Sequence, residues 1–308
     1  MANPATRFAD NVPGGFFVDA ACIDCDTCRQ VAPLIFAEAG GHARVQRQPD
    51  AAVEHRNALR AALCCPVNAI GTPDPAGMRA TVGDFPLAVA VGDNTENSAK
   101  KPVAVWYNGF NAAGSYGGNS YLVRAGDGGL WMVDSPRWQP ALAGAMEKLG
   151  VLAGIFLTHR DDVADAARYA KRFGARRVIH VRDADACPEA EWKMSGEDAV
   201  TIAPGLVAIP TPGHTAGHMA LLAHDAVLFS GDHLWWSRRL RRLNASRSVC
   251  WHSWSQQVAS LRRLVDVRFH AVLPGHGERL IVADAGVMRG AMERMLAAVD
   301  AGGADDDD

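Results

Sequence analysis

Two sets of residues in this 308-residue chain have types and spacings that can do chemistry. The first is Cys22, Cys25 and Cys28, a C-x2-C-x2-C run, with Cys65 standing before Pro66 further on. Three thiolates at that spacing wrap a short loop around one face of an iron–sulfur cube, and a remote cysteine closes the fourth corner. A zinc module ordinarily uses two separated C-x2-C pairs rather than a triplet. In two-cluster proteins the run continues with x3-C-P, but here Ala32-Pro33 stands in that place. One [4Fe–4S] cluster is therefore expected, held by Cys22, Cys25, Cys28 and Cys65. Cys64 competes for the last corner, and the proline after Cys65 favours Cys65. The cluster could transfer electrons, sense redox state or hold the module together, and the residues do not choose among these.

The second set is histidines and aspartates that close apolar runs. Residues 207–232, VAIPTPGHTAGHMALLAHDAVLFSGD, read as two apolar strand-like runs, with a Pro-Gly-His turn before the first and a Ser-Gly-Asp turn closing the second. LTHRDD at 157–162 and LPGHGE at 273–278 are of the same kind. Buried strands that end in loops carrying His and Asp present metal ligands at the rim of a sheet. His159, Asp161, His214, Asp232 and His276 are the candidates.

The rest of the chain must position these groups. Residues 51–63 suit a helix feeding Cys65. Residues 103–107, 119–124, 130–133, 151–157 and 178–181 read as strands, strands crowd 199–229, and 271–273 is a short strand. Helices are expected at 140–149, 162–173, 254–265 and 285–299, the first two stopped by Gly150 and Gly174. The expected organisation is a cysteine module at 14–72, a linker at 73–102, an α+β domain at 103–300 and a disordered acidic tail at 301–308. Apolar content of 48% and charged content of 21% are those of a globular protein, and a net charge of −3 gives no case for nucleic acid or a membrane surface. No apolar run reaches 18 residues and the N-terminus carries no apolar signal segment, which points to the cytoplasm. Seven cysteines, odd in number and clustered, suggest metal or redox chemistry rather than a disulfide framework.

Residues 16–72 resemble the single-cluster [4Fe–4S] ferredoxins. The later order, strand-VDSP, strand-THxx, TPGHTAGH, SGDH and PGHG, resembles the metallo-β-lactamase-fold hydrolases over 103–300. That resemblance implies an αββα sandwich with metals at one rim. His159 matches the family's first His, His214 the later one, Asp232 the bridging Asp and His276 the last. The second His is replaced by Asp161, and the motif's Asp and final His fall on Val163 and Ala164. The implied site is one zinc or iron ion at His159, Asp161, His214 and Asp232. A second metal would keep only Asp232 and His276 unless Asp162 or Asp165 turns inward.

Each candidate has a plainer role open to it. Asp161 and Asp162 stand where a helix N-cap is expected. His218 reads as a supporting residue, and His233, His252 and His270 as structural or exposed. Arg238, Arg239, Arg241 and Arg242 read as a solvated helix face, with an anionic substrate or the cysteine module as alternatives. Trp235, Trp236, Trp251 and Trp254 read as packing that could line a pocket. The leading functional expectation is a metal-dependent hydrolase of an ester or thioester, with Asp232 and Asp161 catalytic and a small-molecule substrate. The alternatives are a redox enzyme whose cluster feeds iron in the sandwich domain, with or without a partner protein, and a non-catalytic sensor or ligand-binding protein. The flavodiiron branch of the fold is similar in carrying a carboxylate where Asp161 stands.

Overall fold

The computed structural model describes residues 2–92 and 103–302. Most of the polar stretch before Val103 and the acidic end of the tail lie outside the described residues. Two mixed sheets pack face to face. The first has seven strands in the order Trp192–Met194, Arg176–His180, Leu152–Phe156, Leu130–Val133, Tyr121–Arg124, Val105–Tyr107 and Leu87–Val89. The second has six, in the order Val200–Ala203, Leu206–Pro210, Met219–Ala223, Val227–Gly231, Ala271–Pro274 and Leu280–Ile281. Helices Pro140–Leu149 and Ala166–Phe173 pack on the first sheet, and Trp254–Leu264 and Ala285–Asp300 on the second. The layer order is therefore α/β/β/α.

The two-residue period of the second sheet explains why its central strands are almost wholly apolar. Met219, Leu221, Val227, Phe229, Ala271 and Leu273 face the first sheet in the central core. Ala220, Leu222, Leu228 and Val272 face the outer helices, against Leu261, Met288 and Met292. A strand covered on both faces admits a polar side chain only where it finds a partner, as Ser230 does in donating to the Leu234 carbonyl at 2.6 Å.

The cysteine module has its own small core. Phe17–Val18 pairs antiparallel with Ile70–Gly71, and Phe36–Glu38 with Ala43–Val45. Phe16, Ile35, Phe36, Val45, Ala58 and Leu59 pack between these ribbons and the helix Ala52–Cys64. The expectation of a linker over 73–102 needs correction for its described part. Pro75 opens a helix, Pro75–Thr81, because Asp74 accepts from the Gly77 amide at 2.7 Å and proline suits the first helical turn. Phe85 is buried against Phe110, and Leu87–Val89 is the edge strand of the first sheet. The chain thus joins the sandwich well before residue 103.

The module is fastened by a side chain from the sandwich. Arg137 donates to the carbonyls of Leu63 at 2.6 Å and Cys65 at 3.1 Å, and to Asn111 at 2.8 Å. The first two are carbonyls at the C-terminal end of helix Ala52–Cys64, which have no partner within the helix. Replacing Arg137 by Met should lower the unfolding free energy by about 1.5–3 kcal/mol, the worth of hydrogen bonds to a charged group. Denaturant unfolding of the full chain measures it; a shift within about 0.5 kcal/mol, typical of surface changes, would contradict this role.

Candidate metal centre

Strand direction brings the candidate ligands to one rim. His159 follows Leu152–Phe156, His214 follows Leu206–Pro210, Asp232 follows Val227–Gly231 and His276 follows Ala271–Pro274. Each loop leaves the carboxyl end of its strand, and these ends lie along the same edge, the usual location of sites in such sheets. The rings and carboxylates converge. His159 Nε2 lies 3.4 Å from Asp232 Oδ2 and 3.7 Å from Asp161 Oδ2. His214 Nε2 lies 3.8 Å from Asp232 Oδ2 and 3.9 Å from Asp161 Oδ2. His276 Nε2 approaches the same Asp232 oxygen at 3.6 Å. Among the described residues, His159, His214 and Asp232 offer donor atoms all within 4.8 Å of one another.

The surroundings make this costly without a cation. His159 Nε2, both nitrogens of His214, Asp232 Oδ1 and both oxygens of Asp162 are buried without a hydrogen-bond partner. An unsatisfied buried polar atom ordinarily costs about 1–3 kcal/mol, so a group of them points to a missing charge. The titration directions agree. Burial opposes charge on His159, yet Asp232 and Asp162 raise its pKa to about 10. Burial opposes ionisation of Asp232 too, but His276 and His159 hold it well below the usual carboxylate range. Asp162 is pushed up to about 7 by burial and by Asp232. His214 is pushed down to about 4 by burial and by the charge on His159. A cation in place of the His159 proton would leave imidazole nitrogens beside carboxylates, a donor set that fits zinc or iron.

Several expectations are corrected here. Asp161 and Asp162 do not cap a helix: they lie in a 3-10 turn, Arg160–Asp162, and the helix starts at Ala166. Asp162 turns inward and is buried, so a second position would have three donors, Asp162, Asp232 and His276, rather than two. Asp165 faces away, its Oδ2 accepting from the Trp138 amide at 2.6 Å. The four arginines are not on a helix; they belong to the hairpin of Trp235–Ser237 and Arg242–Asn244 and its turn. Arg238 there pairs with Glu278 and donates to the Arg29 carbonyl of the cysteine module at 3.3 Å. Trp235 packs against Gly277. Trp251 is exposed, with its ring centroid 6.3 Å from that of His214.

The supporting residues include some that local sequence does not signal. Thr158 Oγ1 lies 3.0 Å from His159 Nδ1 and also bonds Asp134, fixing the ring. Asp183 is buried and ties three loops together, accepting from Thr215 Oγ1 at 2.5 Å, the Gly217 amide at 3.0 Å and the Arg160 amide at 3.2 Å. His218 bonds Thr211 and lies beneath His159, with His233 stacked on it at 4.9 Å. His233 is buried and receives no solvent, whereas His252 is exposed and His270 reaches the Gly92 carbonyl.

The cysteines form a second centre. Cys22, Cys25, Cys28 and Cys65 line one pocket with Val18, Ile23, Ala43 and Ile70. Burial raises the thiols of Cys25, to about 11, and of Cys28 and Cys65, so a cationic group is needed to hold them as thiolates. Amides point at the sulfurs: Ala43 at 3.4 Å and Asp24 at 3.5 Å to Cys22, and Ala69 at 3.2 Å to Cys65. Such bonds stabilise reduced iron–sulfur clusters, and the pocket fits one. Cys64 lies elsewhere, buried in the sandwich core beside Tyr107 and Phe85.

Residues 18–72 match the family described as the 4Fe-4S single cluster domain of Ferredoxin I. That match covers nearly all of the N-terminal cysteine module. Part of the chain is similar to curated hydroxyacylglutathione hydrolases: 33% identical over 140 residues to that of Cereibacter sphaeroides, and 31% over 147 residues to that of Acidiphilium cryptum. These alignments cover 44% and 46% of this chain and 54% and 60% of the relatives. The chain spans about half the length of the curated relatives it matches. Among solved structures, ETHE1 from Myxococcus xanthus is similar with a TM-score of 0.42 and 19% identity, covering 64% of this chain and 99% of that one. No helix of the described residues is long and apolar enough to cross a membrane.

Serine at position 65 should abolish the cluster, with iron and sulfide falling from about four each to none in the cysteine pocket. Serine at position 64 should leave both unchanged. Iron and acid-labile sulfide analysis of anaerobic protein decides it; a cluster lost only on changing Cys64 would reverse the assignment.

Proposed function

We propose that the chain is a metal-dependent hydrolase of an ester or thioester bond, working at the rim formed by His159, Asp161, His214, Asp232 and His276. The observation that carries this reading is the convergence of unpartnered, buried imidazole nitrogens and carboxylate oxygens at the carboxyl ends of three strands, with His276 joining them from a fourth. The likeness to hydroxyacylglutathione hydrolases, whose name denotes action on a thioester, supports the bond class. His159, Asp161, His214 and Asp232 would hold one zinc or iron ion; Asp162, Asp232 and His276 are the weaker second position. When bound, the ion supplies Lewis-acid polarisation of a carbonyl oxygen and activation of water.

The chain's own groups then have distinct tasks. Asp232, central to all three histidines, orients the attacking water through Oδ2. Asp161 is the carboxylate at this rim most open to solvent, with its side chain 47% exposed, and accepts the proton that leaves that water. Thr158 and Asp134 keep His159 in one tautomer. Two exposed aromatic rings flank the opening, Trp251 beside His214 and Tyr116 beside His276, at 6.3 and 6.2 Å between centroids. They give an acyl group apolar walls on both sides of the ligands.

The test is hydrolysis of acyl-glutathione and simple acyl thioesters by the zinc-loaded full chain. His214→Ala should reduce kcat/KM on the order of 10²–10⁴-fold, since a metal contributes several kcal/mol to the transition state and each 1.4 kcal/mol is tenfold. Trp251→Ala should raise KM and leave kcat nearly unchanged, the mark of lost ground-state binding. Absence of turnover by metal-loaded protein across ester and thioester panels would falsify the hydrolase reading.

A further inference from the structure

The loop between strands Val105–Tyr107 and Tyr121–Arg124 touches both centres through adjacent residues. Gly117 has φ +84°, and a methyl group on its Cα would fall 2.7 Å from Cys25 Cβ and 2.9 Å from Cys25 Sγ. A methyl group on Gly118 would fall 2.6 Å from Asp162 Oδ1. One dipeptide therefore lies against a cysteine of the cluster pocket on one side and against the buried carboxylate of the rim on the other. Only glycine permits both approaches.

The dipeptide is held from both domains. The Gly117 carbonyl accepts from Thr27 Oγ1 at 3.2 Å and from Asn111 Nδ2 at 2.7 Å. The Gly118 amide donates to Ser115 at 2.7 Å. Asn119 next donates its amide to Gly275, the neighbour of His276, at 2.7 Å, and its side chain to Gln30 Oε1 at 3.1 Å. Tyr116, whose ring lies beside His276, donates its hydroxyl to the Ile23 carbonyl. Gly117, Gly118, Asn119 and Asp162 are all buried, so no water layer separates the centres along this path.

We propose that Gly117-Gly118 is an electron bridge between the [4Fe–4S] cluster and a redox-active iron held at the rim. The step is a single electron transfer. The reduced cluster, [4Fe–4S]⁺, becomes [4Fe–4S]²⁺ and ferric ion at the rim becomes ferrous; no bond forms or breaks and no proton moves. A low-potential one-electron donor outside the chain returns the cluster to its reduced state. The oxidation state of the cluster then sets that of the metal. This rests on the rim binding a metal, and not on the reaction catalysed there.

The experiment uses the full chain under anaerobic conditions, with the cluster intact and the rim loaded with ferric iron in one sample and zinc in another. A photochemical one-electron donor reduces the cluster in a flash, and the visible bleach is followed. With iron, the bleach should recover in a first-order phase independent of protein concentration, and Mössbauer spectra should show an equal amount of ferrous rim iron. With zinc, that recovery should be lost. Gly117→Ala should slow the phase, and Thr27→Val, which removes one bond to the Gly117 carbonyl, should do so if the first variant fails to fold. A bleach that persists equally with iron and zinc, a recovery rate that scales with protein concentration, or a rim that takes zinc but not iron overturns the bridge. Thioester hydrolysis by the zinc form is independent of it: lost electron transfer with intact hydrolysis sinks only the bridge, and the converse sinks only the hydrolase reading.

Discussion

The structure turns on charge buried at one rim. His159 and Asp162 are shut away from water and the Asp232 side chain is only 13% exposed, and atoms on each have no hydrogen-bond partner among the described residues. Packed side chains cannot satisfy such a group, because two close carboxylates repel and a single imidazolium balances only one of them. A cation among them removes the conflict. The surrounding loops make sense as devices that hold the conflict in place: Asp183 ties three of them together, Thr158 and Asp134 lock one ring, and His218 fills the space beneath it. This is a common bargain at functional sites, where local strain is carried by a scaffold that over-determines it.

The scaffold supplies that rigidity through covering. Both faces of the second sheet's central strands are buried, one by the first sheet and one by helices, so a shift of register would move every side chain into the other, differently packed layer. The ligand loops therefore leave from fixed points. The cysteine module adds a third wall at the same rim. Arg137 caps its helix from the sandwich side, Arg238 reaches its Arg29 carbonyl, and the Tyr116–Gly118 segment lies between its cysteines and the ligands. The two centres are thus neighbours across the interface between the cluster module and the sandwich.

Much of this is legible in the sequence, for a local reason. The helices at 140–149, 254–265 and 285–299 differ from Pro140–Leu149, Trp254–Leu264 and Ala285–Asp300 by at most a residue at an end, because periodicity, Gly150 and capping residues act over a few positions. The histidines at strand ends are visible because an apolar run that stops at a His is a local pattern. What escapes notice depends on distant partners. Pro75 and Gly77 read as a linker until Phe85 is seen to be buried against Phe110. The arginine run reads as a helix face, whereas strand pairing between Trp236 and Leu243 makes it a hairpin. Asp162 reads as a cap beside Asp161, and only the approach of Gly118 and Gly275 reveals which way it faces. Asp183 carries no motif at all; its role exists only where three loops meet.

The central claim is that a cation resides among the rim groups, one loop away from the cluster. Anomalous diffraction from crystals of the anaerobically prepared full chain tests it most directly. The account predicts one strong iron signal in the pocket of Cys22, Cys25, Cys28 and Cys65, and a separate metal signal between His159, His214 and Asp232. An iron signal at the cysteines with no metal density at the rim, or a metal bound away from those three residues, would contradict it.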